Sequence, residues 1–287
     1  MINWDNFKCR CSAIAKLLTT GREGQQITEK QHATLKDLEK RPALSIKQAE
    51  EVARLQTLLA NKDKVVFGDT AIDYLMEHYA WETQGAVSVL KELELEQTKK
   101  GNLAEQDAIN LLSIVEGVVY RKYEGERITN EYLSGLPDVF KGADIMAAEK
   151  ITDIKNSFDY PIFLKQLNKP LENGYEFQLK GYCDITGAPE AEVARCLVSM
   201  PEIMQLDFRR RLSYQWGYVS DESPEFLKRW GKMHRSMNFD HISCYLRVNR
   251  IKVEPFTDFE RERVYDRVKQ ARDWLWKFEE NYNKLNQ

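Results

Sequence analysis

"ITDIKNS", residues 151–157, sets a carboxylate and a lysine two positions apart, preceded by Ile151 and Thr152 and followed by the turn formers Asn156 and Ser157. In a strand, residues i and i+2 face the same side. Asp153 and Lys155 then project together from one sheet face, separated by roughly 6.6 Å of backbone at about 3.3 Å per residue. Alone, such a pair describes an ordinary surface ion pair worth under ~1 kcal/mol. Its neighbours decide whether it is more than that.

Fifteen residues upstream, "SGLPDVF" (134–140) brings Asp138 out of a Gly-Leu-Pro turn into a strand-like segment. Before it, "KKGNLAEQDAINLLSIVEG" (99–117) reads as a helix whose apolar stripe includes Ala104, Ala108, Leu111 and Leu112, with Glu105 just beside the stripe. Downstream, "YEFQLKGY" (175–182) puts Gln178 and Tyr182 one helical turn apart on a common face and leaves Lys180 on the other, solvated one. Residues 131–140, 148–157, 191–200 and 242–256 are β-branched or aromatic and read as strands. Residues 1–60 read as helices, with Thr28 and Ser45 as caps, and helical character continues to about residue 100. The segment from residue 258 to the C-terminus is a long amphipathic helix. The fold class expected is α/β (α+β mixed), a central mixed β-sheet flanked by helices. Residues 1–98 are a helical extension and 99–287 the core with its C-terminal helix.

Phosphodiester hydrolysis accounts for this set of side chains. A Mg²⁺ or Mn²⁺ ion takes hard oxygen ligands, usually one or two carboxylates plus waters and substrate phosphate. Asp138 and Asp153, on adjacent strands, supply such oxygens, and the backbone carbonyl of Ile154 adds another. Glu105 completes the shell. Lys155 positions and helps deprotonate an attacking water, or stabilises charge building on the phosphate. One ion or two fit this set.

The bulk composition narrows the class. With 287 residues, 43% of them hydrophobic, the chain can bury a sizeable core. No apolar run approaches the ~20 residues that cross a bilayer, and the N-terminus lacks a signal-peptide pattern, so a cytoplasmic protein with no membrane partner is expected. The net charge of −3 does not announce a nucleic-acid binder, but the distribution is uneven. Arg209, Arg210 and Arg211, with Tyr214 and Trp216 just after, form the best phosphate-contacting surface in the sequence. The five cysteines are spread without a C-x-x-C cluster, which argues against an iron–sulfur cluster.

Asp138, then Asp153-x-Lys155 on the next strand, with Gly101-x-x-x-Glu105 on a preceding helix and Gln178-x-x-x-Tyr182 on a following one, resembles the PD-(D/E)xK nuclease superfamily. More narrowly, the order is similar to the phage-type branch that includes lambda exonuclease, YqaJ-like viral recombinases and RecB-type nuclease domains. The resemblance covers roughly residues 99–280. It implies Mg²⁺- or Mn²⁺-dependent cleavage of DNA, with duplex carrying a free end as substrate. Asp138 and Asp153 would be metal ligands, Lys155 the catalytic lysine, Glu105 the helical acid, and Gln178 with Tyr182 the following helix. It also implies an exonuclease of recombination or end processing, working in a bacterial cytoplasm if phage-encoded. A single-strand annealing protein and further copies of the chain would be its partners. A catalytically weak binding module and a repair- or restriction-type endonuclease are the alternatives.

Overall fold

The computed structural model describes residues 2–21, 27–60, 66–85, 96–218 and 220–285. Residues 86–95, over which helical character was expected to continue, lie outside the described residues. Among the described residues, eight strands follow in chain order: β1 (Cys9–Arg10), β2 (Arg121–Lys122), β3 (Ile128–Thr129), β4 (Leu133–Gly135), β5 (Val139–Lys141), β6 (Lys150–Asn156), β7 (Ala191–Cys196) and β8 (Val248–Val253). They make a three-stranded sheet, β1-β4-β3, and a five-stranded sheet, β2-β5-β6-β7-β8. Among the described residues, only β6–β7 and β1–β4 run parallel. The chain is therefore the mixed α/β fold expected, with helices around a central mixed sheet. Among the described residues, no helix is long and apolar enough to cross a membrane.

Contacts divide the chain into two units, residues 1–88 with 128–135 and 256–287, and residues 89–127 with 136–255. In the first unit Thr28 caps the helix Glu29–Glu39 through a capping box with Gln31, as its sequence predicts. The helix Asp258–Leu285 belongs to this unit, although the sequence placed it with residues 99–287. Its buried Arg267 donates to the carbonyls of Leu17, Thr19 and Val66. An amphipathic stripe shows that a helix is buried, not what buries it.

The second unit holds the five-stranded sheet. Pairing of Val139 with Thr152 and of Asp153 with Val193 fixes the register around β6. One sheet face packs on the helix Glu105–Glu116 through Ala108, Leu111, Leu112, Val139, Ala194 and Cys196, with Ile154 against the same cluster. Odd-numbered residues of β6 point the other way. The helix expected across 99–117 is broken: Glu96–Leu103 ends, and Glu105–Glu116 starts anew after Ala104. The strand expected across 131–140 is split too, because Pro137 lacks the N–H that a ladder needs. Helices Tyr160–Leu167, Asn173–Thr186, Glu202–Gln215 and Pro224–Arg235 also belong to the unit.

Candidate active site

Asp138 stands one residue before β5. Since Val139 pairs with Thr152 in an antiparallel ladder, one further step sets Asp138 opposite Asp153, and directly opposed residues share a sheet face. Asp153 is 1% exposed, and its Oδ1 accepts hydrogen bonds from Lys155 Nζ at 3.1 Å and Gln178 Nε2 at 3.3 Å. Its Oδ2 lies 2.9 Å from the same ammonium, yet it accepts no hydrogen bond of ordinary geometry. The distance makes an ion pair, and the Asp138 carboxyl interacts with the same carboxylate.

Gln178 and Tyr182 come from the helix Asn173–Thr186, whose one-turn spacing lets the amide donate to the phenol oxygen at 2.9 Å. The Tyr182 hydroxyl donates in turn to the Leu136 carbonyl at 3.0 Å, two residues before Asp138. This relay ties the helix to both carboxylate-bearing segments. Lys155 Nζ also sits 4.7 Å from the centre of the Tyr175 ring, a cation–π contact from the same helix. The lysine side chain remains 33% exposed, so it is reachable from solvent.

The electrostatics follow from this crowding. Burial pushes the Asp138 pKa up to about 7, the adjacent charge of Asp153 adds to the rise, and Glu105 contributes less; Lys155 pulls the other way. Burial works to lower the Lys155 pKa, but the Asp153 carboxylate outweighs it and the ammonium is held above its ordinary range. Both carboxylates act on the Lys155 ammonium.

Glu105 is less committed. It opens its helix, where a negative charge suits the macrodipole, and its Oε2 lies 2.5 Å from Lys122 Nζ on β2. It is near enough to Asp138 to raise its pKa, but it is already paired. Among the described residues, no group of three or more His, Cys, Asp or Glu side chains is arranged to hold a metal ion. The pair Asp138 and Asp153 nonetheless fits a hard divalent cation. The unsatisfied Oδ2 and the strained charge of Asp138 are what such an ion relieves, and two carboxylates are a usual complement.

The arginine run lies on the helix Glu202–Gln215, away from these groups in sequence. Arg209 pairs with Asp221 at 3.1 Å, and Arg211 with Glu96 and Asp207, both at 2.8 Å; Arg210 is exposed. Lys180, expected to be solvated, is buried and pairs with Glu176 at 3.0 Å.

Sequence reasoning missed Lys100. It is 1% exposed and donates to the carbonyls of Ser157, Phe158 and Val198 at 2.8, 3.0 and 2.9 Å. Burial pushes its pKa down to about 8, with Asp159 pulling it back. Asn156 donates to the Gly101 carbonyl at 3.4 Å. "KKGN" thus clamps the ends of β6 and β7, immediately beyond Lys155. As "KKG" in sequence it looks like a solvated helix end, and only its place before Gly101-x-x-x-Glu105 hinted otherwise.

No protein-family model matches the chain, and no curated protein matches it. Solved structures do. A phage related exonuclease from Haemophilus somnus 129PT superposes with a TM-score of 0.58 at 17% identity, covering 96% of this chain and 97% of that one. An alkaline exonuclease (LHK-Exo) from Laribacter hongkongensis gives a TM-score of 0.52 at 10% identity, over 97% of this chain and 94% of that one. LHK-Exo in complex with dAMP gives 0.52 at 11% identity, over 98% and 96%. The fold is that of phage-type exonucleases, as the motif order led one to expect.

Proposed function

We propose that the chain is a divalent-cation-dependent deoxyribonuclease that degrades linear duplex DNA from an end, in phage-type recombination or end processing. The observation that carries this is the opposed Asp138 and Asp153 beside Lys155, with one buried Asp153 oxygen unsatisfied. Neighbours of the same fold described as exonucleases support it. Asp138 and Asp153 would hold Mg²⁺ or Mn²⁺, as one ion or two, with the Ile154 carbonyl and Glu105 as further oxygens once Glu105 leaves Lys122. Such a cation supplies Lewis acidity to the phosphodiester.

The residues do the remainder. Lys155, kept protonated by Asp153, donates to the charge that builds on the phosphate and orients the attacking water. Gln178 and Tyr182 hold Asp153 and the Leu136 backbone in place, so that both carboxylates keep their opposition. This work belongs to a cytoplasm containing DNA ends, with a single-strand annealing protein and further copies of the chain as partners.

A second reading, a nuclease-fold module that binds DNA without cutting it, rests on the Glu105–Lys122 pair, which withholds the third carboxylate. Digestion of linear duplex labelled at 5′ or 3′ ends, beside its closed circular form, with Mg²⁺ or Mn²⁺, separates the readings. Loss of the linear form only, and none with Lys155→Ala, is expected. Cutting of the circle would make it an endonuclease; no cutting by folded, metal-supplied wild type would favour the binding module.

A further inference from the structure

The helix Pro224–Arg235 is held by aromatic rings and open along its charged side. Phe226 is its buried residue, with ring centres of Trp216, Tyr218 and Trp230 at 5.8, 5.6 and 6.3 Å. Ser223 caps it, accepting from the Phe226 amide, and Glu225 is its only acidic residue. Lys228, Arg229, Lys232 and Arg235 are all exposed. Arg229 stacks over the Trp216 ring at 3.9 Å. Lys228, Lys232 and Arg235 have no ion-pair partner among the described residues, in contrast to Arg209 and Arg211 on the preceding helix. A helix macrodipole favours cations in the last turn, where Lys232 and Arg235 lie, but not Lys228 at mid-helix.

The segment after this helix is anchored to the stretch that leaves the C-terminal end of β7. The Met200 amide donates to the Met237 carbonyl at 2.8 Å, and the Phe239 amide to Ser199 Oγ at 2.9 Å. Cys196, at that end of β7, pairs with Asn156, the residue after Lys155. The unpaired cations therefore join the fold at the same end of the sheet as the reactive lysine.

We propose that the ridge Lys228–Lys232–Arg235 carries the phosphate backbone of the DNA as it approaches the site, in place of the arginine run at 209–211. This rests on the nuclease reading and adds to it a tracking surface. Spacings of four and three residues line the three cations up along about 10.5 Å of helix. One DNA strand presents a charge about every 3.4 Å of axis, so the ridge lies along about three phosphates. Its contacts are to the backbone and read no sequence.

The test is binding of a fluorescein-labelled linear duplex in EDTA, which prevents cleavage, across a salt series. Wild type is compared with the triple variant Lys228→Gln, Lys232→Gln, Arg235→Gln. The control is Lys141→Gln with Lys252→Gln, which removes cations already paired with Glu149 and Glu254. The triple variant, with an unchanged circular dichroism spectrum, is expected to reduce the slope of log K against log salt by about three and to weaken binding about tenfold or more. The control should keep the wild-type slope within about one. A triple variant with wild-type slope and affinity overturns the proposal. So does a loss no greater than the control's. If wild type cuts linear duplex in either case, only the ridge fails; if it neither binds nor cuts DNA, the nuclease reading fails as well.

Discussion

Strand β6 carries charge on both of its faces, and the two are balanced differently. On the even face, Lys150 reaches Glu116 at 3.0 Å and Glu192 at 3.1 Å, and Arg250 pairs with both acids. Thr152 and Tyr120 donate to the same carboxylates. Two anions meet two cations, with hydroxyl groups filling remaining lone pairs. On the odd face, Asp153 pairs with Lys155 and accepts from Gln178, no ion pair holds Asp138 among the described residues, and one Asp153 oxygen is left without a hydrogen bond. Buried charge is tolerated where it is paired and hydrogen-bonded. On the proposal made above, a divalent cation would complete the face that fails this condition, whereas the paired face joins the sheet to its helix.

The contrast breaks most visibly in activity. Lys155→Ala should reduce single-turnover cleavage of linear duplex by about 10²- to 10³-fold or more while the far-ultraviolet spectrum stays unchanged. Lys150→Met, if folded, should stay within a few-fold of wild type. Equal losses from both would erase the distinction between the faces.

Stability should show the reverse. Lys150→Met leaves Glu116 and Glu192 with Arg250 and two hydroxyl donors, and the lost charge-assisted bonds should cost about 1.5–3 kcal/mol in urea unfolding.

The pH dependence sharpens the odd face. Asp138 has an ordinary pKa of 3.8 and a folded pKa of about 7. Between those values the folded protein keeps a proton that the unfolded chain has released. Its contribution is therefore full below about pH 4, falls as pH rises towards 7, and is absent above. At about 1.4 kcal/mol per unit, the upper bound is about 4 kcal/mol. Urea titrations from pH 4 to 8 should show this slope in wild type relative to Asp138→Asn. Parallel curves would place Asp138 outside the repulsive pair.

The last effect concerns the strand ends. Lys100→Met removes the donor from three carbonyls, two of them in buried contacts, and should cost about 2–3 kcal/mol, measured the same way. A loss below about 0.5 kcal/mol, the usual scatter of surface substitutions, would mean that water satisfies those carbonyls.

The odd face was legible because alternation in a strand is strict: Asp153 and Lys155 had to share a side, and Asp138 could be placed by motif order. The even face was not, since Glu116, Glu192 and Arg250 lie on three separate elements and come together only through register. Strand β2, of two residues, is too short to show a period. The helix Glu202–Gln215 buries Met204 but exposes Ile203, Leu206 and Tyr214, so no single apolar stripe announces it, and its arginines looked more available than they are. Lys100 and Lys180 show the same difficulty from the other side. A lysine is read as solvated unless its partners are known, and here they are backbone carbonyls in one case and Glu176 in the other.

The central claim is that Asp138 and Asp153 form a cation site. It is tested most directly by the melting temperature of metal-free protein on addition of Mn²⁺, for wild type and Asp153→Asn. Wild type should be stabilised, by about 2.7 kcal/mol when Mn²⁺ reaches a hundred times its dissociation constant, and Asp153→Asn should not respond. An equal rise in both proteins, or none in wild type, would contradict the account.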